Sequence, residues 1–298
     1  MKVLILGGTG VIGGQIVSTL SSSGLDVTAI SRGLIPKPKN NLETKFTTMD
    51  LLDTSDNELL SLISKYSFIV NAAGVIKQKI SINDFSTYLE AVNLNSILPI
   101  RLASLSQGIS NKIIHITTDC VFDGSVGDYD ENYSHSALDI YGKSKSLGEV
   151  QKENVLNLRC SVIGPDTTSL SLAGWVSHLD FNSKITGYLN HYWNGVTTYS
   201  LSKVILGLIQ SSNWRSGTQH LIPSNSWTKF QLLQELIKVC GRMDLRLEKG
   251  FAEQDINRIL KTLNVNQNSI LWKLGGYCEC PNLEELFAEP AFKASFKF

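Results

Sequence analysis

The chain has 298 residues, 42% hydrophobic and 8% aromatic, enough apolar content to bury a full core and to exclude wholesale disorder. Lys plus Arg equals Asp plus Glu at 27 each, so no overall field attracts nucleic acid or an anionic membrane; an anionic ligand must be held by local donors. The five cysteines, Cys120, Cys160, Cys240, Cys278 and Cys280, form no CxxC pair and have no histidine at metal-ligand spacing, which argues for reduced thiols rather than zinc or disulfides.

At the N-terminus, Met1-Lys2-Val3-Leu4-Ile5-Leu6 imitates a signal peptide, but the apolar run is short, Gly7 and Gly8 interrupt it, and no cleavage pattern follows. No apolar stretch reaches spanning length, so a cytoplasmic protein is expected. Residues 3–6 read as a buried strand, continuously apolar and ended by glycines. Ile12, Ile16, Val17 and Leu20 then share a helical stripe that Gly24 closes. Further strands are predicted at 27–30, 68–71, 112–117 and 155–163, with helices at 57–65 and 92–105. Pro99 predicts that the latter helix starts late or kinks. Residues 36–41 form a polar loop. In the second half, 201–209 and 230–239 are amphipathic helices, 220–223 a short strand, and 283–298 an amphipathic tail packing on the lobe.

Strands separated by helix-length segments imply a Rossmann-type, doubly wound parallel sheet in the α/β class. The predicted organisation is a nucleotide-binding core over 1–165, completed by about 190–212. A smaller substrate-binding lobe comes from 166–189 and 213–298.

Gly7-Gly8-Thr9-Gly10-Val11-Ile12-Gly13 falls between the first strand and the first helix. A tight turn there needs positive φ, and a pyrophosphate must approach bare backbone at a helix N-terminus, where free N–H groups and the dipole favour negative charge. Gly13 lets the helix pack closely on the sheet. The turn therefore predicts dinucleotide binding. An NAD-preferring site normally carries a carboxylate at the end of the second strand. Here that strand ends Ala29-Ile30-Ser31-Arg32, without an acid, and Arg32 can clamp a phosphate through its planar fork. NADPH is accordingly expected over NADH.

Tyr141-Gly142-Lys143-Ser144-Lys145 places a phenol and an ammonium four apart on one helical face. Carbonyl reduction needs a proton donor beside the developing alkoxide, and a nearby ammonium lowers the cost of giving up a phenol proton. Thr117-Thr118 ends a strand and offers a hydroxyl for the carbonyl oxygen, on the side of the sheet where ligands sit.

His115-Ile116-Thr117-Thr118-Asp119-Cys120-Val121-Phe122-Asp123-Gly124, followed by Tyr141-Gly142-Lys143-Ser144-Lys145-Ser146-Leu147-Gly148-Glu149, resembles the dTDP-4-dehydrorhamnose reductase branch of the extended short-chain dehydrogenases/reductases. The resemblance covers residues 1–165 well, including Leu158-Arg159-Cys160-Ser161-Val162-Ile163-Gly164, and continues weakly through Trp193-Asn194-Gly195-Val196-Thr197-Thr198. It implies reduction of a 4-keto group on a nucleotide-linked 6-deoxy sugar, in polysaccharide or deoxysugar biosynthesis, with Thr118, Tyr141 and Lys145 catalytic. Asp50, Leu51, Ala72, Ala73, Gly74, Asn93, Thr117 and Cys160 would join the glycine turn, Ser31 and Arg32 around the cofactor. Val75, Asp119, Cys120, Val121, Phe122 and Trp193 would face the substrate. Family members often pair through helices including the one bearing Tyr141, which points to a homodimer.

One position departs from the family. Sugar-nucleotide dehydratases follow the threonine with an Asp-Glu pair, and the simple reductase has tyrosine after the aspartate, whereas here Cys120 follows Asp119. The elimination glutamate is missing, so the departure bears on the sugar rather than on reduction. His115 reads as a core histidine and His135 and His178 as loop or surface residues, while His191 and Trp175 either line a sugar pocket or, as aromatics more often do, simply bury area. Arg159 can pair with a diphosphate or brace the core. An epimerase with tightly held cofactor, and a non-catalytic nucleotide-binding regulatory subunit, are the competing functions.

Overall fold

The strand β1 (Lys2–Leu6) occupies the middle of the molecule because Val3, Leu4, Ile5 and Leu6 are all apolar and all fully buried. A strand apolar on both faces needs a covering layer on each side. Val3 and Ile5 join one hydrophobic core while Leu4 and Leu6 join the other, as the two-residue repeat of a strand requires. The computed structural model describes residues 1–33 and 44–296; the loop expected at 36–41 lies outside the described residues.

A seven-stranded parallel sheet contains β1, β2 (Asp26–Ser31), β3 (Lys45–Thr48), β4 (Phe68–Asn71), β5 (Lys112–Thr117), β6 (Val155–Arg159) and an edge strand, Gly217–His220. Their spatial order is edge strand, β6, β5, β4, β1, β2, β3. The chain runs outward from β1 through β2 and β3, then returns to β1's other side for β4. Leu6 is thus opposite Ile30 on one flank and Asn71 on the other. A crevice opens at the carboxyl ends of strands where the winding reverses, which places a ligand site between β1 and β4.

On one face, α1 (Val11–Ser22) buries Ile16, Val17 and Leu20, with the helix Thr198–Gln210 packed beside it. The opposite face carries α2 (Asp56–Ile63), α3 (Phe85–Val92) and α4 (Leu98–Leu105). The helix expected over 92–105 is longer than predicted: α3 passes through a π-turn, Asn93–Ile97, directly into α4. Pro99 does not delay or end it. Proline lacks an N–H, so the Asn95 carbonyl has no helical donor there, and the wider turn accommodates the ring. Gly148 lies against that carbonyl, where a Cβ would come within 2.0 Å.

The single strand expected at 155–163 is two. Thr117 and His220, the last paired residues of both flanking strands, stand opposite Arg159, so the ladder stops there and Val162–Ile163 pairs instead with Val196–Thr197. The short strand expected at 220–223 is found earlier, at Gly217–His220, and it completes the main sheet from a segment assigned to the lobe. Beyond the sheet, Lys184–Tyr188 pairs with Arg246–Gly250, and His191–Trp193 lies between Trp227–Thr228 and Ile256–Asn257. In the tail, Leu283, Leu286, Phe287, Phe292 and Phe296 are buried, with Phe287 against Trp193 and Trp227. No helix among the described residues is long and apolar enough to cross a membrane.

Candidate active site

The glycine turn between β1 and α1 forms one wall of a crevice of about 470 Å³. Gly7 has φ +77°, and a Cβ on it would stand 2.8 Å from the Ala73 backbone. Only glycine satisfies both conditions. Gly13 sits where a Cβ would fall 2.1 Å from the Gly7 carbonyl oxygen, so the turn folds tightly onto the first turn of α1. No side chain caps α1 at Gly10, which leaves its N-terminal N–H groups for a ligand. Gly7, Thr9, Gly10, Ser31, Arg32, Leu51, Ala72, Ala73 and Gly74 all line this crevice, together with Met49, Lys79 and Leu94. Arg32 is salt-bridged to Glu90 of α3. Val11 and Ile12 begin α1, and Ile12 lines a second cavity.

Besides Val11 and Gly13 at the start of α1, two expected cofactor residues lie outside both cavities. Asp50 is exposed, and its Oδ1 accepts from the Leu52 N–H at 2.9 Å, which makes it a turn residue. Asn93 is exposed at the start of the π-turn. The buried asparagine is Asn95, whose Oδ1 accepts from Val75 N–H at 2.9 Å and whose Nδ2 donates to the Val75 carbonyl at 3.0 Å. Val75, expected to face substrate, is instead held in the core by this two-point clamp.

The second cavity, about 460 Å³, gathers Thr117, Thr118, Asp119, Cys120, Tyr141, Lys145, Cys160 and Trp193. Tyr141 and Lys145 lie on α5 (Ile140–Leu147), which begins at Asp139, whose carboxylate accepts from Gly142 N–H at 2.9 Å. Gly142 lets the helix approach the 119–121 turn, since a Cβ there would meet the Cys120 carbonyl at 2.3 Å. Two bonds from the π-turn fix the helix axially: Asn95 Nδ2 donates to Ser144 Oγ at 3.1 Å, and Ser96 Oγ to the Ser144 carbonyl at 2.7 Å. Thr118 opens the 119–121 turn, accepting from Cys120 N–H at 3.2 Å and donating to Asp119 Oδ1 at 3.0 Å. Lys145 extends to the crevice wall: a Cβ on Gly74 would lie 3.0 Å from its Nζ. The lysine therefore touches the boundary of both cavities.

Burial dominates the electrostatics. It raises the Tyr141 phenol well above its ordinary range, with the Cys120 thiol adding to the rise and the Thr118 hydroxyl opposing it. Desolvation of the phenolate outweighs the one favourable group beside it, the Thr118 hydroxyl, so the resting phenol is not made more acidic. Burial lowers Lys145 to about 8, against Glu149, and pushes Cys120 up to about 12. Burial also raises Asp119, against Arg258. At neutral pH the site therefore holds a protonated phenol, a protonated thiol and a charged lysine.

Val121 and Phe122 do not face this cavity, contrary to expectation. Both are wholly buried in an apolar cluster with Tyr129 and Leu260, where Phe122 stacks on Tyr129 at 4.2 Å. The 119–121 turn leaves Cys120 on the cavity and sends Val121 and Phe122 inward. Trp175 lines an adjoining pocket of about 390 Å³ with Tyr188 and Lys184, while His191 lines the reaction cavity. His135 lies exposed in a loop, as read, and is bonded there to Ser146 and Arg159, while His178 ends a helix with Nδ1 against the Gly174 carbonyl. Arg159 braces the core: it is buried and salt-bridged to Glu149. His115 is a core histidine satisfied on one side. Asn71 Oδ1 accepts from Ala73 N–H, so Asn71 Nδ2 faces His115 Nδ1, and Nε2 carries the ring proton without a partner.

Sequence reading missed Asn95, Ser161, Lys229 and Arg258. Ser161 Oγ accepts from Trp193 Nε1 at 2.8 Å and orients the indole in the cavity. Lys229, the first residue of the helix Lys229–Val239, lines both the reaction cavity and its neighbour, and burial lowers it to about 8 against Asp119. Arg258 lines the reaction cavity while Nε donates to the Phe122 carbonyl at 2.9 Å. A cation at the dipole-positive start of a helix was the one available signal at Lys229, because it opposes helix electrostatics.

A doubly wound sheet with the glycine turn at its switch point, and a threonine, tyrosine and lysine around the adjoining cavity, defines an extended short-chain dehydrogenase/reductase. Within that class the chain belongs to the RmlD substrate binding domain family, whose sequence model matches residues 1–255. A curated relative, the probable low-salt glycan biosynthesis reductase Agl14 of Haloferax volcanii, is 23% identical over 312 residues, covering 99% of this chain and 98% of that protein. The dTDP-4-dehydrorhamnose reductase of Bacillus anthracis, solved in complex with NADP, superposes with a TM-score of 0.73 at 19% identity over 96% of each chain. The UDP-glucuronic acid 4-epimerase of Bacillus cereus, solved with UDP-glucuronic acid and NAD, superposes at 0.75 with 17% identity over 100% of this chain and 99% of that one.

Proposed function

We propose that the protein is an NADPH-dependent ketoreductase acting on a nucleotide-linked 6-deoxy-4-keto sugar, in cytoplasmic polysaccharide or deoxysugar biosynthesis. One observation carries this reading: Thr118, Tyr141 and Lys145 converge on a single cavity, and Lys145 reaches the wall of the dinucleotide crevice beside it. The crevice suits a dinucleotide. Its glycine cradle would be filled by any Cβ at Gly7 or Gly13, and the uncapped start of α1 offers donors to a pyrophosphate. Arg32 supports the phosphorylated form of the coenzyme, which supplies hydride when bound.

The chain's own residues supply the rest. Tyr141 keeps its proton at neutral pH and donates it to the sugar's carbonyl oxygen as charge develops there. Thr118 presents its hydroxyl to the same oxygen. Lys145, charged below about pH 8, stabilises the phenolate left on Tyr141. Lys229 and Arg258 are the cations that meet the substrate's diphosphate, and Trp193, Tyr192 and His191 offer flat faces to the sugar. Cys120, protonated and uncharged, leaves room and a weak donor where the family's reductases carry tyrosine.

The Haloferax volcanii relative, a probable glycan biosynthesis reductase, is consistent with this reading. A homodimer is part of it. Phe85 and Leu89, one turn apart on α3, and Leu147 on the adjoining α5 are exposed by 75%, 66% and 66%, an apolar face on the helices expected to pair.

The epimerase similarity supports a second reading, in which a held coenzyme oxidises and re-reduces one carbon. Incubation with a panel of keto-sugar nucleotides and NADPH, followed by absorbance, separates the two. Stoichiometric loss of NADPH with one substrate establishes reduction. Sugar interconversion without net absorbance change would establish epimerisation instead, and no turnover across the panel would return the protein to a binding role.

A further inference from the structure

We infer that Glu90 sets how strongly the crevice discriminates between phosphorylated and unphosphorylated dinucleotides. The inference rests on the dinucleotide reading above. Arg32 lines the crevice beside Ser31 and Gly33, where a phosphate on the adenosine ribose would meet it. Its NH1 donates to Oε1 of Glu90, 58 residues later on α3. The two side chains remain 48% and 30% exposed, so an entering anion can compete for the guanidinium.

A guanidinium has five N–H donors in a planar fork, and Glu90 occupies only one arm. The remaining donors can receive a ribose phosphate. The carboxylate, however, stays beside a group carrying about −1.5 to −2 charge, and the repulsion weakens phosphate binding. A ribose with free hydroxyls meets no such repulsion, since hydroxyls donate to a carboxylate. That acceptor role usually belongs to an acid at the end of the second strand. Here β2 ends at Ser31 with Arg32 following, so the acid comes from a different element. Lys79 lines the crevice as well and has no bonded side-chain partner among the described residues, so a second cation is available to the phosphate, which remains favoured. The preference for NADPH is therefore real but narrowed by Glu90.

Fluorescence titration of the full-length chain with NADPH and with NADH tests this on the wild type, Glu90→Gln, Arg32→Ala and the double variant. Glu90→Gln keeps the shape and an acceptor oxygen while removing the charge. It should tighten NADPH roughly three- to tenfold and leave NADH unchanged or weaker, so the ratio widens. NADH binding doubles as the control for folding. With Arg32→Ala, Glu90 loses its anchor, and the gain should shrink to less than about twofold, as a coupled pair requires. An unchanged or narrowed ratio in Glu90→Gln overturns the inference, as does a full gain that persists without Arg32. A wild-type chain that binds neither nucleotide overturns the dinucleotide reading itself, which is a separate and recognisable result.

Discussion

Arg159 at the end of β6 and Glu149 just beyond α5 form a two-point ion pair in which neither side chain is more than 3% exposed. Arg159 Nε donates to Glu149 Oε1 at 2.9 Å, and the Thr117 hydroxyl donates to the same oxygen at 2.8 Å. The other arms of the guanidinium meet His220 and His135, both at 2.7 Å, and its plane lies over the Phe122 ring. One arginine thereby ties β5, β6, the edge strand and the end of α5 together behind the cavity that Tyr141 and Lys145 line.

Removing one partner of such a pair leaves a buried uncompensated charge. Arg159→Met should therefore lower stability by roughly 3–5 kcal/mol, read as a fall in the urea midpoint. Adding Glu149→Gln should recover part of that loss. If the double variant is less stable than Arg159→Met alone, the stranded charge is not the cause.

Tyr141→Phe keeps the ring that packs on the 119–121 turn and removes only the proton donor. Turnover should fall by roughly 10²–10⁴ while dinucleotide affinity stays within about twofold. Retention of most activity would assign the proton to another group.

In the proposed mechanism Lys145 acts as an ammonium, and burial has lowered it to about 8 against the opposing charge of Glu149. The charged form is populated below that value, so kcat/KM should decline as pH rises through about 8. Glu149→Gln removes the charge that sustains the ammonium and should move the declining limb to lower pH. A limb that stays in place would show that Glu149 does not act through Lys145.

Burial also lowers His115 to about 3, with Lys145 adding to the effect, and lowers His220 to about 4. Between pH 6.5 and those values the unfolded chain binds protons that the folded one refuses. Stability should therefore be full above about 6.5 and drain away as pH falls towards 4. Replacing His115 with glutamine should reduce the slope of unfolding free energy in this window by up to about 1.4 kcal/mol per pH unit. Denaturant titrations at pH 5, 6 and 7 measure it, and parallel slopes for both proteins would discount His115.

Much of the scaffold was legible because it is written in short-range signals. The apolar runs at 68–71 and 112–117 match β4 and β5 residue for residue. The glycine turn and the Tyr141–Lys145 spacing needed only local φ values and helical periodicity. Errors arose where a residue's role depends on what faces it. Val121 and Phe122 look like continuations of a ligand-facing strand end, but a short turn rotates them into a pocket closed by Leu260, far along the chain. Asn93 and Asn95 look equivalent until the π-turn buries one and exposes the other.

By itself, the sequence determined the alternating strands and helices, the cradle for a dinucleotide and the tyrosine–lysine pair, since each follows from steric and periodic rules acting over a few neighbours. Tertiary structure alone decided which charges meet: Arg32 with Glu90, Arg159 with Glu149, and Lys229 with Arg258 at one cavity. Burial and Coulomb interaction depend on distance through space, and residues ten to 58 positions apart acquire that distance only when the sheet and its covering layers have assembled.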